Sequence, residues 1–259
     1  MKRKIPLATA RVDGRRVKQN KQWGTALIFL APSLTGVSLF LLIPFIETVR
    51  RSLCDTLGTR FVGLSNYQSV LQNEAFHLAV RNTVRFTGVC VPLLLVFSLI
   101  LALALRSKPL RNTPWSEWYR TTFLLPMAIP VASIAILWKV LFARTGLINA
   151  LFGTDCDFMN TEAAFWVLIA TYLWKNIGYD SILWSGGLDA ISTELYEAAS
   201  VDGAGIWRQF VAITLPNLVP TLIITTVLSL LNTHKVFREA YLVAGAYPQQ
   251  SIYLVQHLF

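Results

Sequence analysis

Long apolar runs are the feature that most constrains what this chain of 259 residues can fold into. A helix needs about 20 apolar residues to cross roughly 30 Å of hydrocarbon, and four runs reach that length. A fifth, NLVPTLIITTVLSLLN, begins near residue 217 and is shorter, so it must tilt, be flanked by snorkelling side chains or continue into the next segment. We therefore predict an all-α integral membrane protein, a polytopic helical bundle with five spans. The four longer runs are 24–49, 84–105, 121–142 and 163–186.

The composition agrees with a membrane protein. Only 14% of the residues are charged and the mean hydropathy is +0.51, whereas about 25% of the residues of an average soluble domain are charged. The first run is longer than the apolar part of a signal peptide, which spans about 7 to 15 residues, and no small-x-small cleavage site follows it. We interpret this run as a retained span.

The positive charge is concentrated at the start of the chain. The first 22 residues hold eight Lys or Arg and one Asp, which is seven of the nine net positive charges. A basic tail directly before a span is typical of a cytoplasmic anchor, and this interpretation is simpler than a nucleic-acid-binding arm. We therefore predict a multi-pass protein with a cytoplasmic N-terminus and no nucleic-acid partner.

This orientation agrees with the distribution of basic residues between the two sides. The segments placed inside carry 13 Lys or Arg and those placed outside carry seven. Five spans would leave the C-terminus outside, so a sixth helix is expected but missing from this sequence. The inside segments are the tail, 106–120 and 187–216, and the outside segments are 50–83, 143–162 and 233–259.

Motifs for catalysis and nucleotide binding are absent from the sequence. There is no G-x-x-x-x-G-K-[ST] loop to cradle phosphates, no HExxH and no GxSxG. The three histidines are isolated, and the three cysteines have no metal-ligand spacing. We assign no enzyme activity, cofactor or metal to this chain.

One cytoplasmic segment, 187–216, is polar although its neighbours are apolar. Ser192 or Thr193 can cap a first short helix, and Gly203 allows the positive φ of a turn that ends it. Asp202 can cap the helix that follows. We predict two short helices joined at a bend, with an apolar side toward the protein, including Ile206, and an acidic side toward the cytoplasm.

The stretch EAASVDGAGIWRQFVAITLP resembles the EAA loop of binding-protein-dependent ABC importer permeases. That loop has EAA, three residues, G, nine residues, I, one residue and LP, and this sequence matches it in register. LAPSLTGVSLFLLIPF, FVGLSNY, VRNTV, FLLPMAIPVASIAILWKVLF, YLWKNIG and HKVFREAYLVAG resemble the maltose and glycerol-phosphate type branch. The segment AGAYP departs from the common TGGGP of that branch. The matched residues are Glu197, Ala198, Ala199, Gly203, Ile213, Leu215 and Pro216.

The resemblance implies the type I ABC importer permease fold in a bacterial or archaeal cytoplasmic membrane. It implies a second permease subunit in a heterodimer, an ABC ATPase dimer that holds ATP and Mg, and an extracytoplasmic solute-binding protein. The implied domains are a basic tail (1–22), a first helix with an external segment (23–83) and an ABC importer transmembrane domain (84–259) with a coupling loop (187–216). The implied ATPase-coupling residues are Glu197, Ala198, Ala199, Asp202, Gly203, Ala204, Phe210, Ile213, Leu215 and Pro216.

Polar side chains in the fourth run are candidates for the solute path, since a charge at membrane depth is costly unless it faces a partner or a wet cavity. They are Trp174, Lys175, Asn176, Tyr179 and Asp180. The alternative is a structural role, in which Lys175 and Asp180 each pair with a neighbouring helix. The expected solute is a sugar, an oligosaccharide or a related polar molecule.

A secondary transporter and a lipid-modifying enzyme are the two alternatives to an importer permease. A secondary transporter would use Lys175 and Asp180 for ion coupling, but it would need inverted repeats, and the two halves show no convincing self-similarity. A lipid-modifying enzyme would need a catalytic constellation, which is missing. Neither class explains the polar loop, and dependence on an ATPase or on an ion gradient distinguishes a secondary transporter from an importer.

Overall fold

The computed structural model describes residues 26–106, 116–245 and 248–258, which are mostly helical. The chain divides into two compact units, Met1–Gln72 and Asn73–Phe259. The predicted basic tail, 1–22, lies outside the described residues.

The first unit contains one long apolar helix and a compact turn. Helix α1, Ala26–Ser52, covers nearly all of the first apolar run and includes a π-helical turn just before Pro44. In the turn that follows, the Asp55 carboxylate accepts the backbone N–H groups of Thr59 (2.8 Å) and Arg60 (3.1 Å). The Arg60 backbone hydrogen bond, and to a smaller extent that of Thr59, holds the pKa of Asp55 below its usual value. Helix α2, Ser65–Leu71, completes the described unit.

The second unit is built around two parallel helices, α3 (Glu74–Arg106) and α7 (Ala163–Asp189). Near the start of both, the Phe86 ring meets the Tyr172 ring edge-on at 5.7 Å. Further along, Trp184 Nε1 donates to Ser98 Oγ at 2.9 Å. Because later residues of α3 pair with later residues of α7, the chain between them must cross back.

That return is made by two helices separated at a proline. Helices α4 (Ser116–Ala128) and α5 (Val131–Phe142) are interrupted at Pro130, which has an extended ψ of 139° and caps α5. The predicted run 121–142 is therefore two helices that meet at Pro130, whose extended backbone and missing N–H separate them. A short helix, α6 (Leu147–Phe152), follows.

The last third of the chain returns along α7. Helices α8 (Thr193–Val201) and α9 (Ile206–Asn217) precede α10 (Val219–Thr233), and a 3₁₀ turn leads to α11 (Phe237–Ala244). Thr221 packs on Gly187, while Tyr172 donates to the Ser229 carbonyl at 2.8 Å, so α10 is antiparallel to α7. Two 3₁₀ turns at 250–252 and 255–257 pack near the start of α3, where Asn82 donates to the Tyr253 carbonyl.

The described residues contain three helical segments that are long and apolar enough to cross a membrane. They are α1, α3 and Val131–Phe152, within which Ala143 is extended between α5 and α6. A fourth is added if α9 and the Val219–Ala244 segment, bent by 64° at Leu218, count as one span. Helix α7 is long enough to cross a membrane, but its polar residues make it too polar to be counted with these segments. The predicted count of five spans stays a prediction.

Replacement of Gly178 on α7 should destabilise the second unit. A Cβ there would lie 1.9 Å from the Phe123 carbonyl oxygen of α4, whereas a Cβ at Gly186 on the same helix would meet no atom of residues 26–106, 116–245 or 248–258 within 4 Å. Because the obstacle is backbone, we expect Gly178→Leu to cost about 1–3 kcal/mol or more and Gly186→Leu to be tolerated. Thermal unfolding in detergent measures both, and equal melting temperatures would contradict this packing.

Candidate functional site

The polar segment forms the two helices and the bend that its sequence predicts. Ser192 Oγ accepts the Glu194 N–H at 3.3 Å and caps α8. At the other end Gly203 has φ of +74°, and the Ala204 N–H donates to the Ala199 carbonyl at 2.9 Å. Glycine suits this left-handed position because it has no Cβ.

The predicted role of Asp202 as a cap for the second helix is wrong. Asp202 lies at the C-terminal end of α8, and Gly205 precedes α9 without any side-chain capping bond. The two residues between Asp202 and Gly205 include the left-handed glycine, which turns the chain before α9 begins.

The two short helices are fixed to each other and to the membrane helices. The Tyr196 hydroxyl bonds to Thr214 Oγ1 at 2.9 Å, and Gln209 Nε2 donates to the Ala204 carbonyl at 2.9 Å. Ile191 and Leu218, which lie just before and just after the pair, are buried in one apolar cluster with α3 and α7. The bent pair, which we call the loop hairpin (192–217), is therefore tied to α7 at one end and to α10 at the other.

The outer surface of the loop hairpin is more apolar than predicted. Ile206 is 89% exposed, Val201 87% and Trp207 74%, so the prediction that Ile206 faces the protein is wrong. The anchoring contacts of α9 come from its second half, where Thr214 is buried and Ile213 packs on the core cluster, and its first turn therefore projects outward.

The predicted coupling residues all lie on the loop hairpin, along its length. Among them Ala199, Ala204, Phe210 and Ile213 are half-buried, whereas Glu197, Ala198, Asp202, Gly203, Leu215 and Pro216 are exposed. The end of the second unit that carries the hairpin also holds the ion pair between Arg106 and Asp189, at 3.3 Å. These residues join the C-terminal ends of α3 and α7.

Lys175 and Asp180 do not pair with each other. Lys175 forms an ion pair with Glu239 of α11, and the Lys175 and Glu239 side chains are 17% and 6% exposed. Asp180 is fully buried and accepts a hydrogen bond from Ser229 Oγ of α10 at 2.7 Å. Lys175 and Asp180 are therefore each matched by a polar residue of a neighbouring helix, which lowers the cost of burying a charged group in an apolar environment.

The other predicted solute-path residues have different surroundings. The ring of Trp174 packs 5.7 Å from that of Trp138, and Asn176 is buried and donates to the Tyr172 carbonyl. Tyr179 is half-buried. Of the five predicted residues, Lys175 and Asn176 line a cavity of about 150 Å³ between α4, α7, α10 and α11.

Glu239 is the main residue of this cavity that the sequence did not reveal. The sequence shows Glu239 only as an acidic side chain within HKVFREAYLVAG, a segment that we expected to lie outside the membrane. In the structure Glu239 is 5% exposed. An acidic residue in the first turn of α11 could have been recognised as the partner for Lys175 only once α11 was known to pack beside α7.

Comparison with known sequences identifies similar proteins along most of the chain. The family described as "Binding-protein-dependent transport system inner membrane component" matches residues 94–252. The lactose transport system permease protein LacF of Rhizobium radiobacter is 31% identical over 225 residues, which cover 83% of this chain and 74% of LacF. The trehalose/maltose transport system permease protein MalF of Thermococcus litoralis is 30% identical, over 85% of this chain and 77% of its own length.

A solved structure has a similar fold. It is a bacterial ABC transporter involved in the import of the acidic polysaccharide alginate, with a TM-score of 0.75 and 24% identity. The similarity covers 88% of this chain and 83% of that chain. At this level of identity the comparison concerns the fold alone.

Loss of the Ser229 hydroxyl should destabilise the second unit. Asp180 Oδ1 has no hydrogen-bond partner within the described parts of the chain, so Ser229→Ala would remove the one side-chain donor that its carboxylate has there. We expect a cost of about 1–3 kcal/mol, measured by thermal unfolding in detergent. Thr226→Ala is the control and should change the melting temperature little, because Thr226 is only half-buried and its hydroxyl donates to the backbone of its own helix. Equal effects of the two substitutions would show that the buried bond is unimportant.

Proposed function

We propose that this chain, which belongs to the family of binding-protein-dependent transport system inner membrane components, is a permease subunit of an ATP-driven sugar importer. The names of its relatives support this proposal, since they include permeases for lactose and for trehalose or maltose. The observation that carries it is the loop hairpin, a bent helix pair anchored to α7 at one end and to α10 at the other. The hydrolysis of ATP belongs to a separate subunit, and we propose no catalytic residue here.

The proposed assembly follows the family resemblance. A second permease, in a heterodimer, completes the translocation path, and an ATPase dimer holds ATP and Mg on the cytoplasmic side. An external binding protein delivers the solute, as in the alginate transporter, which was solved with a pentasaccharide-bound periplasmic protein. We propose that the permease has five spans in this sequence.

The loop hairpin would act as a lever between the ATPase and the membrane helices. Its first helix follows α7 through the buried Ile191, and its second meets α10 at a bend of 64°. When the ATPase dimer closes, a push on the exposed surface around Glu197 and Ile206 would move α7 and α10 together. These two helices carry Asp180 and Ser229, so the displacement would reach the proposed solute path.

The alternative, a secondary transporter, would need Lys175 or Asp180 to exchange an ion during the cycle. Lys175 is paired with Glu239 and Asp180 with Ser229, on two different helices. This arrangement favours local pairing over a shared ion site. The loop hairpin also has no role in that class of mechanism.

Charge reversal at Glu197 should uncouple the importer. Glu197 is exposed, and a charge-assisted contact with the ATPase would contribute about 1.5–3 kcal/mol, so Glu197→Lys should reduce solute-stimulated ATP hydrolysis about tenfold or more. Glu74→Lys is the control, because it reverses an exposed charge at the N-terminal end of α3, whereas the loop hairpin lies beside the C-terminal end. ATP hydrolysis and co-purification of the ATPase are measured in proteoliposomes. Full stimulation of the Glu197→Lys complex would contradict the docking proposal.

Gly203→Asp tests the bend in the same assay. It places a side chain at φ of +74°, where nothing in the described part of the chain lies within 4 Å of the added Cβ. The expected defect therefore comes from the proposed contact with the ATPase and from about 1–2 kcal/mol of backbone strain. Gly153→Asp, at φ of +62° and equally open, reproduces the strain away from the loop hairpin. We expect only Gly203→Asp to abolish coupling. If both variants lose coupling equally, the effect is caused by backbone strain alone and the bend has no special role.

The proposed orientation is tested by cysteine labelling in a variant without native cysteines. Asp202→Cys should react with a membrane-impermeant maleimide only from the cytoplasmic side. Native Cys54 is buried, so the exposed Leu57→Cys and a restored Cys156 serve as the external sites. Labelling of residue 202 from outside would refute the topology.

A further inference from the structure

The cavity beside α7 combines charged and amide groups in a small volume. Its polar lining comes from Thr171, Lys175, Asn176, Asn232, Lys235 and Glu239, and it measures about 150 Å³. Glu239 is buried, Lys175 is half-buried and Lys235 is exposed. The cavity therefore has a buried ion pair in its wall and an additional cation at its edge.

The hydrogen-bonding capacity of this ion pair is only partly used. Glu239 Oε1 accepts from Lys175 Nζ, whereas Glu239 Oε2 is buried and has no hydrogen-bond partner in the described parts of the chain. A buried carboxylate oxygen without a donor costs free energy, so it marks a place where a donor would bind favourably. Lys175 has three N–H donors, and one of them goes to Glu239.

We propose that the Lys175–Glu239 pair binds two adjacent hydroxyl groups of a neutral, polyhydroxylated solute. One hydroxyl donates to the Glu239 carboxylate, and its neighbour accepts from the Lys175 ammonium. This inference rests on the proposed function, and it makes Glu239 a specificity-determining residue of the solute path. Asn176 of α7 and Asn232 of α10 add amide groups to the lining of the same cavity.

The charges of the cavity favour hydroxyl groups over ions. A cation would meet Lys175 and Lys235, and an anionic group would meet the Glu239 carboxylate without being able to donate to it. A hydroxyl group both donates and accepts, so adjacent hydroxyls satisfy an acceptor and a donor without adding a charge. The solute class that fits is a neutral sugar rather than a metal ion or a phosphorylated compound.

The test replaces the ion pair by apolar residues of similar size. Exchange of a buried ion pair for well-packed apolar side chains is often neutral for stability, so Lys175→Met/Glu239→Leu is expected to fold. The complete transporter, with its partner permease, ATPase and binding protein, is reconstituted in proteoliposomes. Radiolabelled lactose, maltose and trehalose are the probes, and the readout is the number of sugar molecules imported per ATP hydrolysed.

We expect the double variant to keep its melting temperature, while import per ATP falls about tenfold or more. Arg238→Met, at an exposed cation next to Glu239, is the control and should import normally. A second readout uses deoxy analogues of the imported sugar. The wild type should discriminate against the loss of one hydroxyl about tenfold more strongly than the double variant does.

The outcomes separate this inference from the proposed function. If the wild type imports sugar with ATP and the double variant imports equally well, the ion pair is structural and the inference is overturned. If the wild type imports none of the three sugars, the proposed function fails and the inference fails with it. An unfolded double variant would show that the pair holds the fold, which also overturns the inference.

Discussion

The parallel packing of α3 against α7 is the constraint on which the rest of the second unit depends. The contacts from Phe86 at one end to the Arg106–Asp189 pair at the other align the two helices along their lengths. Parallel neighbours require a connection that crosses back, and α4 and α5 provide it. The same alignment brings the C-terminal ends of α3 and α7 together, so the loop hairpin sits beside both and is anchored by residues of both.

Burial of polar groups on α7 determines how the remaining helices pack. Asp180 and Lys175 each need a partner, and Ser229 on α10 and Glu239 on α11 meet that need. These pairings fix the register of α10 and α11 against α7, while Gly178 allows the backbone of α4 to approach closely on another side. In the proposed mechanism the helices that the loop hairpin moves are therefore also the helices that hold the polar groups of the solute path.

Features set by local sequence could be predicted, and features set by packing could not. The apolar runs of α1 and α3, the Ser192 cap and the bend at Gly203 follow from short stretches of sequence, as does the family membership, whereas α3 begins at Glu74, ten residues before the predicted run. The exposure of Ile206 depends on how far along α9 the anchoring contacts begin. The role of Glu239 depends on a contact with Lys175 across 64 residues of sequence, and no local pattern indicates it.

The central claim is that ATP hydrolysis, transmitted through the loop hairpin, drives uptake by this chain and its partners. Uptake of a radiolabelled sugar into proteoliposomes containing the complete transporter and external binding protein tests it most directly. The account predicts uptake with ATP trapped on the ATPase side in the absence of any ion gradient, and no uptake when a proton or sodium gradient is imposed without ATP. Uptake that follows the gradient and ignores ATP would contradict the account and favour a secondary transporter.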